Sequence, residues 1–133
     1  MTPAELRERT LEFGVRVAKQ IEPLLLSPAA RDNAAQLANA SSSVGSNYRA
    51  ACVARSHAEF RAKIGVALEE ADESVFWLEF LKRTGRSKGA EWEALLGEAR
   101  ELARILAASA STSRRRSGGV RPPGAQRRDT RRR

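Results

Sequence analysis

Four carboxylates crowd the middle of the chain: Glu69, Glu70, Asp72 and Glu73. Acids this close can hold a cation or divide the roles of general acid and base. Either use needs partners, and the sequence supplies few. Di-iron bundles place a Glu-x-x-His pair on each of two facing helices. Here the one histidine, His57, has Ala54 three residues before it. A single histidine also excludes a multi-His site within one chain. The one cysteine, Cys52, excludes an internal disulfide and a Cys zinc cluster. With no His-plus-acid partner evident, it reads as a small core residue rather than a nucleophile. No phosphate loop, nucleophile elbow or dinucleotide fingerprint occurs. The expectation is no metal, no cofactor and no catalysis.

The carboxylates still need a physical account. Glu69 and Glu73 are one helical turn apart, where like charges repel. If the second and third helices fold back at about Arg55, Ser41, Ser42 and Ser43 lie level with Glu69 and Glu70. Arg49 falls about seven residues short of Glu69, ~10 Å along a helix axis. Arg9 and Arg16 on the first helix come nearer that level. This predicts a serine–carboxylate–arginine seam between helices that takes in Glu69 and Glu73. For Glu70 and Asp72 a solvated acidic face stands as the alternative.

The elements that would position these groups are helical throughout. Ala, Leu, Glu and Arg dominate, and β-branched and aromatic residues are scarce. The first helix opens with Thr2 as cap, Pro3 at the first helical position and Glu5 closing a capping box. Leu6, Thr10, Phe13, Val17 and Ile21 form its apolar stripe. Leu11, Val15 and Ala18 form a weaker second one. Pro23 should end or kink this helix near Glu22.

The second helix starts between Ser27 and Asp32 and runs to about Ala54. It is rich in Ala, Ser and Gly, with Leu37, Val44, Tyr48 and Cys52 as larger core candidates. Small side chains let neighbouring axes come close, but Gly45 and the serine run form helix poorly, so packing must hold the segment. The third helix starts at Ser56, with Glu59 as a second capping box. Its inner stripe runs from Phe60 and Ile64 to Leu78, while Phe76, Trp77 and Phe80 lie off it. Gly85 stops it. The fourth begins between Ser87 and Ala90, carries Trp92, Leu95, Leu96, Leu102 and Leu106, and fades after Ala108.

Helices of about 20 to 28 residues with short links predict an all-α, antiparallel up-down-up-down four-helix bundle. The bundle is assigned to residues 1–113 and a disordered Arg-rich C-terminal tail to residues 114–133. The first turns carry Glu5, Glu8 and Glu12, unlike a signal peptide. No apolar run reaches the roughly 18 residues needed to span a bilayer. A soluble cytoplasmic protein is expected, with no membrane partner.

All of the net charge sits in that tail. Arg114, Arg115, Arg116, Arg121, Arg127, Arg128, Arg131, Arg132 and Arg133 face a single acid, Asp129, whereas residues 1–113 hold fifteen basic and fifteen acidic residues. The +8 of the whole chain is therefore a property of its last twenty residues. Arginine binds two phosphate oxygens with its planar fork and stacks on bases, so the tail is expected to bind nucleic acid, RNA more than DNA. No aromatic residue is interleaved, so sequence readout is not expected. The bland alternative is a solubilising extension.

One stretch carries a resemblance. It comprises Asn47-Tyr48-Arg49-Ala50-Ala51-Cys52, Arg55-Ser56, Glu59-Phe60, Lys63, and Glu69-Glu70-Ala71-Asp72-Glu73-Ser74 closing on Trp77-Leu78. Gln36-Leu37 and Ser41-Ser42-Ser43 precede it. Together these residues resemble the four-helix-bundle proteins encoded in bacterial 23S rRNA intervening sequences. The accessory variability determinant of diversity-generating retroelements is related to that family. The likeness covers about residues 10 to 85; the fourth helix matches only in general character, and the arginine tail is not part of the pattern. It implies an antiparallel bundle assembling as a ring-like homopentamer, without catalytic residues. In the retroelement branch it also implies a basic protein that binds RNA and a reverse transcriptase. The neutral body departs from that branch and moves the nucleic-acid expectation onto the tail. The competing function is a structural or protein-interaction module with no direct nucleic-acid role. Independently, Phe76, Trp77, Phe80 and the second stripe of the first helix leave apolar surface that one bundle does not need, which points to self-association.

Overall fold

A computed structural model describes the backbone of residues 1–120 and the side chains of residues 1–115. Four helices follow one another: α1 (Pro3–Leu25), α2 (Arg31–Cys52), α3 (His57–Arg83) and α4 (Ala90–Val120). Short turns reverse the chain each time, and each helix packs on its sequence neighbours, with α1 closing the bundle against α4. This is the antiparallel up-down-up-down bundle that the stripe pattern predicts.

The caps form largely as the sequence dictates. Thr2 Oγ1 accepts from the Glu5 amide at 3.1 Å, and the Thr2 amide donates to Glu5 Oε1 at 2.8 Å. That backbone donor also lowers the Glu5 pKa. At α3 the box is split. Ser56 Oγ accepts from the Glu59 amide at 3.0 Å, but Glu59 Oε1 accepts from the Arg55 amide, at 3.0 Å, rather than from that of the cap residue. Gly85 ends α3's turn with φ of 82°, a left-handed conformation that favours glycine.

Two helix ends differ from expectation. Pro23 neither ends nor breaks α1, which continues to Leu25. Pro23 sits in the last turn, where only one ladder bond is lost, and Leu24 is buried and anchors the end against the core. Helix α4 does not fade at Ala108 but continues to Val120. The small polar stretch Ser109–Ser113 stays helical because Ser113 is itself buried and held by α3.

The core is built from the predicted stripes, with Phe13, Val17, Ile21, Leu37, Ile64 and Leu102 each almost fully enclosed. Its polar members are small and satisfied within their own helices. Thr10 Oγ1 donates to the Leu6 carbonyl at 2.9 Å and Ser74 Oγ to the Glu70 carbonyl at 2.9 Å. Trp92, 2% exposed, donates from Nε1 to the Leu78 carbonyl across the α3–α4 boundary at 3.0 Å.

Helices α1 and α2 meet most closely. A Cβ on Gly45 would stand 3.3 Å from backbone atoms of Thr10 and Leu11, and one on Gly14 would stand 3.3 Å from the Ser41 carbonyl oxygen. The small residues of α2 therefore serve close backbone approach, as their composition implied.

Candidate nucleic-acid interface

The acidic cluster does not form the expected seam. Glu69 and Glu73 are exposed, and among the described residues neither joins an ion pair. Glu73 Oε2 accepts from its own helix, from Trp77 Nε1 at 3.4 Å. Ser41 and Ser42 turn their hydroxyls back to the carbonyls of Ala38 and Asn39. Glu70 is half-buried, and burial first, then the charges of Glu73 and Glu69, raises its pKa. Asp72 is exposed, as the solvated-face alternative has it.

The arginines assigned to that seam go elsewhere. Arg9 binds Glu98, with Nε–Oε2 at 2.7 Å and Nη2–Oε1 at 2.9 Å. Arg16 binds Glu91, with Nε–Oε2 at 2.9 Å and Nη2–Oε1 at 3.3 Å. The reason is topological: α1 has α4 as its second neighbour, not α3. Arg9 and Arg16 are seven residues apart, as are Glu91 and Glu98, so one antiparallel register pairs both sets. That matching spacing was the available signal.

The remaining resemblance residues are spread over α2 and α3 and the turn between them. Asn47 Nδ2 donates to the Ser43 carbonyl at 2.9 Å. Tyr48 is buried, and that burial, with Cys52 beside it, pushes its phenol up to about 12. Cys52 is half-buried and free. Arg55 is exposed and pairs with Glu59 at 3.8 Å. Phe60 packs on the core and stacks on His57 with ring centroids 6.4 Å apart. Lys63 and Trp77 are half-buried and Arg49 is exposed.

A basic edge forms instead where α3 begins and α4 ends. His57 Nε2 lies 3.1 Å from the Ser113 carbonyl oxygen and 3.3 Å from its hydroxyl. This contact ties the far part of α4 to the first turn of α3. Beyond it, Arg114 and Arg61 line one shallow groove floored by Ala58, Ala62, Gly65 and Ala110. Arg115 is exposed and donates to Ser111 Oγ at 2.8 Å and Thr112 Oγ1 at 3.3 Å. Among the described residues no carboxylate pairs with Arg61, Arg114 or Arg115. Guanidiniums gathered there without an acidic partner among the described residues make a surface suited to an anion. Arg61 was not among the sequence candidates, because the fourth helix was expected to stop before reaching its level. Arg116 lies on α4, with its side chain outside the described residues, as are Arg121, Arg127, Arg128, Arg131, Arg132 and Arg133. Of the disordered tail expected at residues 114–133, residues 114–120 instead continue α4, and residues 121–133 lie outside the described ones.

Among the described residues no group of three or more His, Cys, Asp or Glu gathers to hold a metal ion. No described helix is long and apolar enough to cross a membrane.

The fold and this edge define a class: an antiparallel helical bundle whose last helix leads into an arginine-rich segment. Residues 5–108 match the model of the 23S rRNA-intervening sequence protein family, and the chain belongs to that family. The match takes in most of α4, further than the sequence resemblance reached. The chain is also similar to a crystal structure of a protein of unknown function from the S23 ribosomal protein family of Bacteroides thetaiotaomicron. The two share 29% identity at a TM-score of 0.76, over 84% of this chain and 99% of that one. No curated protein matches the chain.

Proposed function

We propose that this chain is a non-enzymatic, cytoplasmic, oligomeric helical-bundle protein that binds nucleic acid through charge, RNA rather than DNA. A ring-like homopentamer is the assembly the family resemblance suggests. In the retroelement form of this reading, the RNA-bound ring serves a reverse transcriptase as an accessory.

The observation that carries the reading is charge segregation. Nine arginines and one acid follow residue 113, behind a body that is electrically even. Arg114 and Arg115 extend from α4 as exposed cations with no carboxylate partner among the described residues, and Arg61 adds a third from α3. Each guanidinium that neutralises a phosphate releases condensed counterion, which supplies affinity without sequence readout. Several copies in one assembly multiply the arginine segments and raise avidity.

The test is replacement of the nine arginines from Arg114 to Arg133 by Gln in the full chain, read by retention of a single-stranded RNA at low salt. The reading expects retention to be lost while the helical content and melting of the bundle are kept. Retention equal to that of the unaltered chain overturns it. The second reading, a protein-interaction module without nucleic acid, draws on the exposed aromatic rings of α3, and the same assay separates the two.

A further inference from the structure

Among the described residues two apolar surfaces are exposed. The first is an open groove of ≈ 610 Å³ between α1 and α2. Leu11 and Val15, 57% and 38% exposed, stand in it, with Gly14, Ala18 and Gly45 keeping it open. The second is the outer face of α3. Phe76 and Phe80 are 56% and 40% exposed there, and Val66 lies on the same side. Phe76 meets Trp77 edge-on at 4.8 Å and Phe80 at 6.0 Å, so the rings form one cluster.

Both surfaces carry the seven-residue spacing of helices that pack side by side. On α1 it runs Ala4, Glu8, Leu11, Val15, Ala18. On α3 it runs Val66, Glu69, Glu73, Phe76, Phe80, opposite the buried Ile64, Ala71 and Leu78. Each stripe runs over fifteen residues, fourteen rises or about 21 Å of helix. Their charges complement one another. Arg7 and Arg49 line the groove, with Glu8 as its one acid, and neither arginine is paired among the described residues. The α3 face carries Glu69, Asp72 and Glu73 exposed and, among the described residues, without an ion-pair partner. Burial first, and then the charges of Glu73 and Glu69, raises the pKa of Glu70, and an incoming cation relieves the second part.

We propose that the outer face of α3 of one copy docks in the α1–α2 groove of the next, Phe76 and Phe80 against Leu11 and Val15, Glu69 and Glu73 beside Arg7 and Arg49. This rests on the oligomeric part of the function proposed above and assigns its contact surfaces. The two surfaces are different parts of the same chain, so the contact is head-to-tail, and repetition gives a closed ring or an open filament rather than a two-fold dimer.

The experiment uses the full chain and two double variants, Leu11→Glu with Val15→Glu and Phe76→Glu with Phe80→Glu, with mass read by light scattering. Each variant alone weakens assembly ~30-fold or more, the effect of losing interface anchors. Mixed in equal amounts they form a one-to-one heterodimer, because one keeps an intact face and the other an intact groove. A charge exchange covers the case in which apolar-to-acid changes unfold the bundle. Arg7→Glu with Arg49→Glu weakens assembly, and Glu69→Arg with Glu73→Arg in the same chain restores it. Unaltered assembly of both apolar variants, folded, overturns the proposed surfaces while leaving an oligomer in place. A mixture that stays monomeric overturns the head-to-tail arrangement. A monomeric unaltered chain removes the oligomer itself, a different failure from either.

Discussion

Arg9 and Glu98 join the first helix to the last through two parallel hydrogen bonds, 2.7 and 2.9 Å long, between residues 89 positions apart in the chain. Their side chains are 32% and 18% exposed, so the pair is partly shielded from water. Bonding to Glu98 raises the Arg9 pKa, which keeps the cation in place at any working pH. Substituting Glu98→Gln removes the charge and half the fork. The expected loss is about 1 kcal/mol, the upper range for an ion pair still touching solvent. Denaturant unfolding measures it, and Glu101→Gln, an exposed acid paired within α4, should cost far less.

The outer pair of the same seam sets an acid limit. Arg16 lowers the Glu91 pKa from the usual carboxylate range, mainly by hydrogen bonding. A carboxyl depressed in the folded state stabilises the fold above its unfolded pKa, and that contribution is lost as pH falls through the folded value. Glu79, depressed by Arg83, acts in the same direction. Melting temperature should therefore decline as pH falls below about 4.5, and Glu91→Gln should flatten that decline. Glu70 has the opposite sign. Its raised pKa means that ionisation opposes folding, so Glu70→Gln should raise the melting temperature at pH 7 and lose that advantage toward acid.

Glycines in this bundle divide by what surrounds them. A Cβ at Gly45 meets the α1 backbone at 3.3 Å, and backbone cannot turn aside as a side chain can. Gly45→Ala should be destabilising despite the better helix propensity of alanine, and Gly45→Val more so by ~1–3 kcal/mol of overpacking. Gly65, in the middle of α3, has nothing within 4 Å of such a Cβ. Gly65→Ala should stabilise by about 0.5–1 kcal/mol. Thermal melts of the two alanine variants should thus move in opposite directions.

Trp92 supplies the same kind of contrast between α3 and α4. Its Nε1 donates to the Leu78 carbonyl at 3.0 Å inside the core. Trp92→Phe keeps most of the apolar contact and removes the donor, for an expected cost of about 1–2 kcal/mol.

Helices α1 and α3 were legible because each satisfies two independent signals, a buried stripe and a capped terminus. The stripe Leu6, Thr10, Phe13, Val17, Ile21 is buried as read, and the Thr2–Glu5 box closes as read. The end of α4 was not legible, since Ser109–Ser113 are weak helix formers and only the contact from His57 to Ser113 reveals what holds them. The partners of Arg9 and Arg16 were missed for a related reason. Hairpin register from the α2–α3 turn says nothing about which helix closes the bundle. Once α4 is recognised as the neighbour of α1, the equal spacing of Arg9, Arg16 and of Glu91, Glu98 decides the pairing. At the basic edge, Arg114 and Arg115 were readable from charge alone, whereas Arg61 became visible only when α4 ran alongside the start of α3.

The central claim is that an even-charged bundle holds nucleic acid by its arginine segment, and salt reads this most directly. Affinity of the full chain for duplex RNA should be measured by fluorescence anisotropy from low to physiological salt. If six of the nine arginines engage phosphates, log affinity falls against log salt with a slope of about −5. A slope near zero, or no binding at the lowest salt, contradicts the account.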